Sequence, residues 1–457
     1  MAGGRIWTML SIVGAGLALA VFGAVGPAGG APTLSPQTPY RHEGVASCGG
    51  STCHGRQEAT GTVVRQNELL IWQDPASPAG AHSRAYALLA EPRSQAIAAR
   101  LGIGPASQAP MCLGCHADPV PAKLRGARFD IGDGVGCEAC HGGSQQWLSS
   151  HYAVGATHAS NVAMGMVPLD DPKARASRCL DCHFGSAGPG QFVTHRIMAA
   201  GHPRISFELD LFTALQRHHD EDADYRKRKQ VSRGVKTWAI GQAMALDRAT
   251  ALYASPRGQD GAFPEFYFFD CRTCHRTFSD DPGYRPTDVA NPARPVPSGF
   301  PTFNDENIIM LTAAARIAAP QLAAQLTAQS RAFHAAFAAD RPSAVRAAGQ
   351  LGATARALAA SFENASFSRG QTLTILEAVL AQGQLYTDYQ GAQQAVMAAD
   401  TLISDLQASG SIGGTSARAL RGDLDRAYAA VRTPEGFRPA AFRQATAQLA
   451  AGVRGLR

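Results

Sequence analysis

The apolar pattern divides the chain into three stretches. The first holds one long apolar run from Ile6 to Val25, preceded by Arg5 as the only charge and followed by small residues around Pro27–Ala31. That order is the pattern of an export signal. A run of about 20 residues is also long enough to cross a bilayer, so an uncleaved N-terminal membrane anchor is the alternative. No second apolar run of that length follows, so no polytopic membrane domain is expected.

From Asn304 onward apolar residues recur at spacings of three and four, as in Ile308, Leu311, Ala315 and Ala318. This period predicts helices over 305–339, broken near Pro320, and over 342–362, 368–384, 386–408, 415–431 and 438–454. Asp340-Arg341-Pro342, Ser409-Gly410 and Thr433-Pro434-Glu435-Gly436 supply the stops. Helices with such faces bury them as an antiparallel bundle. The stretch is alanine-rich, lacks cysteine, and has one histidine, His334, expected at the surface or between helices. It shows no phosphate loop, catalytic triad or carboxylate pair.

Between these stretches Gly and Pro recur and the periodic segments are short. One longer helix is predicted over Val235–Tyr253, with Trp238 and Met244 inward. Another is predicted to start near His82 and run to about Leu101. The chain thus reads as a signal over 1–31, a cofactor-bearing domain over 32–290, a Pro-rich linker over 291–303 and a helical bundle over 304–457. The fold class is mostly α.

Composition then changes the picture. The formal net charge of +6 among 457 residues is too mild to imply nucleic-acid binding. All ten cysteines fall in five close pairs, and a histidine follows each pair. The pairs are Cys48/Cys53 with His54, Cys112/Cys115 with His116, Cys137/Cys140 with His141, Cys179/Cys182 with His183, and Cys271/Cys274 with His275. Four read C-x-x-C-H; the first has a four-residue spacer, Gly49-Gly50-Ser51-Thr52. C-x-x-C-H is the attachment signature of c-type haem: two thiols bond the porphyrin, and the adjacent histidine reaches the iron. The two glycines are expected to give the longer spacer the backbone freedom to close.

Competing readings are weak. Exported chains use cysteines for disulfides, but histidine fills about 3% of positions, so five chance matches have a probability on the order of one in tens of millions. Zinc ribbons use two pairs per metal and no following histidine. Thioredoxin-like redox pairs would not occur five times in one chain. The cofactors expected are five covalently bound haem c groups, and the first domain is a haem-packed region of short helices and long loops.

Histidine is the natural second axial ligand. His82, His151, His158, His195 and His202 are the candidates, with His42 as a substitute for any of them. His195 and His202 are seven apart, which would share a face of a continuous helix, although Gly201 and Pro203 argue against continuity. The charged stretch 217–236, which includes His218 and His219, reads as a solvated face rather than a docking patch.

Several passages resemble the multihaem cytochromes related to cytochrome c-554. They are the early haem site followed by Trp72 and Ala-His82-Ser-Arg-Ala, and Gly-Val-Gly-Cys137-Glu-Ala-Cys140-His141-Gly, together with the spacing of the second to fourth sites. The resemblance covers roughly residues 40–280. It implies a mostly helical domain with closely spaced haem pairs, and His82, with His151 or His158, as distal ligands. It also implies no distal protein ligand opposite His116. The chain departs from the pattern in its first spacer, its fifth site and its long C-terminal region. The functional expectation is an exported, periplasmic carrier of electrons between redox partner proteins, through low-potential, mainly bis-histidine haems. The alternative is a reductase of a small nitrogen or sulfur oxyanion at one open-coordinate haem.

Overall fold

The computed structural model describes residues 40–59, 65–228, 231–259, 264–275, 294–297 and 300–457. The apolar N-terminal segment, residues 276–293 and residues 298–299 lie outside the described residues, the last two including part of the Pro-rich linker. No strand forms among the described residues; two isolated bridges, His42 with Arg125 and Phe269 with Phe303, are the only sheet-like pairings there.

The first part carries short helices. They are α1 (Val45–Cys48), α2 (Glu68–Gln73), α3 (Pro92–Leu101), α4 (Pro110–His116), α5 (Cys137–His141), α6 (His158–Ala163), α7 (Pro172–His183), α8 (His195–Ala199), α9 (Leu209–Leu215) and α10 (Ala223–Arg228). Then come α11 (Val235–Ala254), α12 (Glu306–Ala318), α13 (Pro320–Phe337), α14 (Arg341–Glu363), α15 (Arg369–Ala381), α16 (Tyr389–Ala408), α17 (Gly414–Ala430) and α18 (Pro439–Arg454).

The later helices begin where the sequence places caps. The Asp340 side chain accepts the Ser343 N–H, Ser368 and Gln371 form a reciprocal capping box, and Asp388 accepts the Gly391 N–H. Pro320 sits at the start of α13, where its missing N–H costs no helical bond, and the chain breaks at Ala319. The segment near His82 differs from expectation. It forms two 3-10 turns, Pro78–Ala81 and Ala87–Ala90, and α3 begins only at Pro92. Proline pushes the residue before it into extended backbone, so a helix cannot run through Glu91.

The main core is built around α11. Trp238, Ile240, Leu246, Leu252 and Tyr253 on it are buried, and Met244 lies at the core's edge. A helix apolar on every side must be enclosed, and α14, α12, α7 and α9 pack against it. Each fully buried large apolar side chain contributes about 1.5–3 kcal/mol. His334 is also fully buried, between helices, with its Nδ1 bonded to the Ser330 carbonyl at 2.7 Å.

Two polar seams tie the early helices to this core. Arg248 of α11 donates to Asp181 at 2.7 Å, to the Gly185 carbonyl at 2.8 Å and to the Ser177 carbonyl at 3.2 Å, which fixes α7. From α16, Gln394 donates to the Phe207 carbonyl at 2.7 Å and Thr401 to Glu208 at 2.6 Å. The stretch leading away from His202 is thereby held on the bundle. The remaining early region has only small apolar clusters, such as Leu89, Ala98 and Ala106.

Candidate metal centres

Three motif histidines end short helices: His116 ends α4, His141 ends α5 and His183 ends α7. Residues at i, i+3 and i+4 share a helix face, so both thiols and the imidazole of each motif point the same way. At the fifth motif a 3-10 turn over Cys271–Thr273 takes the helix's place. Cys274 caps that turn, its N–H bonded to the Cys271 carbonyl at 3.2 Å, and His275 N–H bonds the same carbonyl at 2.7 Å. The first motif closes its longer spacer as a turn: Cys53 N–H bonds the Gly50 carbonyl at 2.8 Å, and His54 N–H returns to the Cys48 carbonyl at 3.2 Å. Backbone freedom at the two spacer glycines is not what permits this, because Gly49 has an ordinary φ of −81°. The need is for space: a Cβ on Gly55 would lie 2.1 Å from the Gly49 carbonyl oxygen.

Cys271, Cys274 and His275 are exposed, whereas the cysteines of the second, third and fourth motifs are half-buried. Cys53 of the first motif is exposed in the same way.

Each of the five motif histidines faces another histidine across a gap. The ring centroids of His54 and His151 are 6.3 Å apart, of His82 and His183 6.0 Å, and of His116 and His202 6.3 Å. His195 and His275 are 6.1 Å apart. His141 has two neighbours, His218 at 6.3 Å and His219 at 6.2 Å. Two metal–nitrogen bonds of about 2 Å each, added to two ring radii, come to roughly 6 Å. The five separations fit one metal atom between two imidazoles, a range that edge-on ring contacts also span.

The hydrogen bonds fit the same donor set. Nδ1 bonds a backbone carbonyl in His116 (Ala85, 2.9 Å), His151 (Leu148, 2.6 Å), His202 (Pro203, 2.7 Å) and His218 (Gln216, 3.2 Å). This fixes the ring and leaves Nε2 as the nitrogen that could take a metal. His54 Nδ1 instead meets the Glu68 carboxylate at 3.0 Å. Burial pushes His183 and His218 down to about 4, and it also lowers His82 and His202. These imidazoles are thus neutral, the form that binds a metal.

The attachment points adjoin one another. Cys48 adjoins Cys137, and Cys115 adjoins Cys182. Cys140 and Cys179 are electrostatic neighbours. The motifs therefore run in space as first, third, fourth, second. Near the fifth, the Arg204 guanidinium lies 3.9 Å from Cys271 Sγ.

Of the six histidines expected as distal ligands, four stand opposite motif histidines: His82, His151, His195 and His202. The other two do not. His158 is exposed and bonds Asp170 at 3.0 Å, and His42 is buried against Asp118 at 2.6 Å. His195 and His202 serve different partners because α8 ends at Ala199 and Gly201 turns the chain at φ +111°. The resemblance implies an open position opposite His116, yet His202 stands there. The fifth partner, His218 or His219, comes from the charged stretch that the sequence presents as a solvated face. The adjacent histidine doublet is the signal that could have marked it.

One motif residue outside the haem signature also has a role. Glu138, between Cys137 and Cys140, is buried and accepts three backbone N–H groups: Glu43 at 2.8 Å, Gly44 at 2.7 Å and Ser144 at 2.8 Å. It holds the stretch of chain before the first motif onto the third. Among the described residues no helix is long and apolar enough to cross a membrane.

Comparison with curated proteins and with solved structures yields no match. Residues 47–142, which carry the first three cysteine pairs, match the family described as cytochrome c554 and c-prime, a match consistent with a c554-related cytochrome segment over those residues.

Proposed function

We propose that the protein is an exported pentahaem c-type cytochrome that passes electrons between redox partner proteins in the periplasm or at the membrane surface. The observation that carries this reading is that all five motif histidines have another imidazole standing one metal's width away. Haem c supplies a one-electron iron couple, which stays at low potential when both axial ligands are imidazoles rather than a methionine. The chain supplies everything else. The ten cysteines, two to each motif, anchor the cofactors. His54, His116, His141, His183 and His275 are the proximal ligands. His151, His202, His218 or His219, His82 and His195 are, in that order, their distal partners. Carbonyl bonds to Nδ1 hold several of these rings, and burial keeps them neutral.

The adjacency of the first, third, fourth and second motifs supports passage of electrons within the protein. Export is supported by the Arg5, apolar-run and small-residue order at the N-terminus. A reductase of small oxyanions needs an iron with an open position, and an imidazole opposite every motif histidine argues against one. Exposure of the reduced protein to carbon monoxide tests this. A carrier leaves its optical spectrum unchanged. A carbon-monoxide-bound spectrum, or turnover of nitrite, hydroxylamine or sulfite with a reduced dye, would replace the carrier with an enzyme.

A further inference from the structure

Arg204 lies at the end of a segment that serves two haem sites. His195, at its start, stands opposite His275 of the fifth motif, and His202 stands opposite His116 of the second. The Arg204 guanidinium turns to the fifth. Its Nη1 lies 3.9 Å from Cys271 Sγ, and its Cζ lies 4.4 Å from the centre of the Tyr267 ring, within cation–π range. That ring is fixed. Tyr267 is 4% exposed, and its hydroxyl donates to the Phe184 carbonyl at 3.4 Å. Glu265 accepts the Tyr267 N–H at 2.8 Å and the His195 N–H at 2.7 Å. The backbone of the distal histidine, the aromatic ring and the guanidinium are thus held as one unit.

Charge sets this arginine apart. Arg248 and Arg294 are enclosed and each pairs with an aspartate, Asp181 and Asp305 respectively. Among the described residues no carboxylate stands within salt-bridge distance of Arg204, and its Nε is buried without a hydrogen-bond partner. Glu306 and Asp388 act on it from farther off. Burial pushes the Cys271 thiol up; of the charges acting on that thiol, Arg204 comes first and opposes the rise, ahead of Asp388 and Asp270. A thioether formed at Cys271 carries no charge, so attachment leaves the guanidinium uncompensated there. A nearby positive charge favours adding an electron to an iron, and a guanidinium does not lose its charge.

We propose that Arg204 is a fixed cation of the fifth haem site that makes this haem easier to reduce and so draws electrons to it from the second. This deepens the bis-histidine reading and rests on it.

The test is a potentiometric titration, followed optically and by EPR, of the full holoprotein carrying Arg204→Met or Arg204→Lys. The fifth haem is identified as the one that turns high spin in His195→Ala. Arg204→Met keeps an apolar stem and removes the charge. The fifth haem should then become harder to reduce by at least about tenfold in its reduction equilibrium, or ~59 mV for a one-electron couple. Arg204→Lys keeps the charge and should hold that haem near its original potential. Arg204→Gln, polar but uncharged, should behave as Arg204→Met, so the outcome does not hang on how one variant folds. A fifth haem unmoved in both uncharged variants, or a shift confined to other haems, overturns the proposal. So does a shift in Arg204→Lys as large as in Arg204→Met, which would make Arg204 a packing residue. Failure of the underlying reading looks different: fewer than five haems or a high-spin signal in the unmodified protein, or a His195→Ala variant that stays wholly low spin.

Discussion

Glu138 offers a stringent check on the architecture of the haem region, because a single carboxylate accepts three main-chain N–H groups from two segments. Replacement by alanine leaves all three donors without that acceptor. The Gly44 and Ser144 groups are buried, whereas Glu43 is half-buried and within reach of water. An orphaned buried donor costs about 1–3 kcal/mol. Two such donors, less the relief of no longer burying a carboxylate, give a loss of about 3 kcal/mol. Glu138→Gln keeps one oxygen for Glu43 and Ser144 but points an NH2 at the Gly44 N–H, for about 1–2 kcal/mol. Chemical denaturation of the holoprotein should therefore rank wild type above the glutamine variant and that above the alanine variant. The midpoint should move while the slope is unchanged, as a change in stability alone requires. An alanine variant within about 0.5 kcal/mol of wild type would refute the account of this motif residue.

Two further predictions concern buried carboxylates. Arg248→Met leaves Asp181 buried without its guanidinium and should cost about 3–5 kcal/mol, with Asp181→Leu added in the same chain recovering most of it. Burial already raises the Asp181 carboxyl despite Arg248, so the Arg248→Met deficit should grow as pH rises from about 5 to 8; a deficit that shrinks would contradict the pairing. Asp270, beside Cys271, is pushed up to about 7 by burial and then by the charge of Asp388, against the Thr387 hydrogen bond and Arg294. A carboxyl raised on folding contributes stability below its unfolded value near 4 that is lost as pH climbs through about 7. The thermal midpoint should therefore fall between pH 5 and pH 8, and Asp270→Asn should flatten that fall; parallel profiles would remove Asp270 as the cause.

The C-terminal helices are legible in the sequence because each level agrees: the three-and-four apolar spacing, the aspartate and serine caps and the prolines all mark the same boundaries. The cysteine motifs are legible because their chemistry is local, although their setting is not. Cys274 and Cys140 occupy the same place in the same motif, yet the first is exposed on a 3-10 turn and the second half-buried on a helix. What the sequence conceals is pairing at a distance. His54 meets His151 and His116 meets His202 only because turns far apart in the chain are folded together, and no spacing rule contains that. His218 and His219 hide in a run of charges whose local pattern is that of a solvated face. His42 and His158 illustrate the reverse. A histidine near a motif can be claimed by a carboxylate, Asp118 or Asp170, before any metal is considered. Glu138 is an ordinary acid by sequence and acquires its role from the N–H groups that the fold places around it.

The central claim is that five haems are attached and that every one is held by two histidines. Intact mass of the purified ferric protein, read together with its EPR spectrum, tests both halves on one sample. The account predicts a mass increment of five haems and low-spin signals only. Fewer than five haems, or a high-spin ferric signal from any of them, would contradict it.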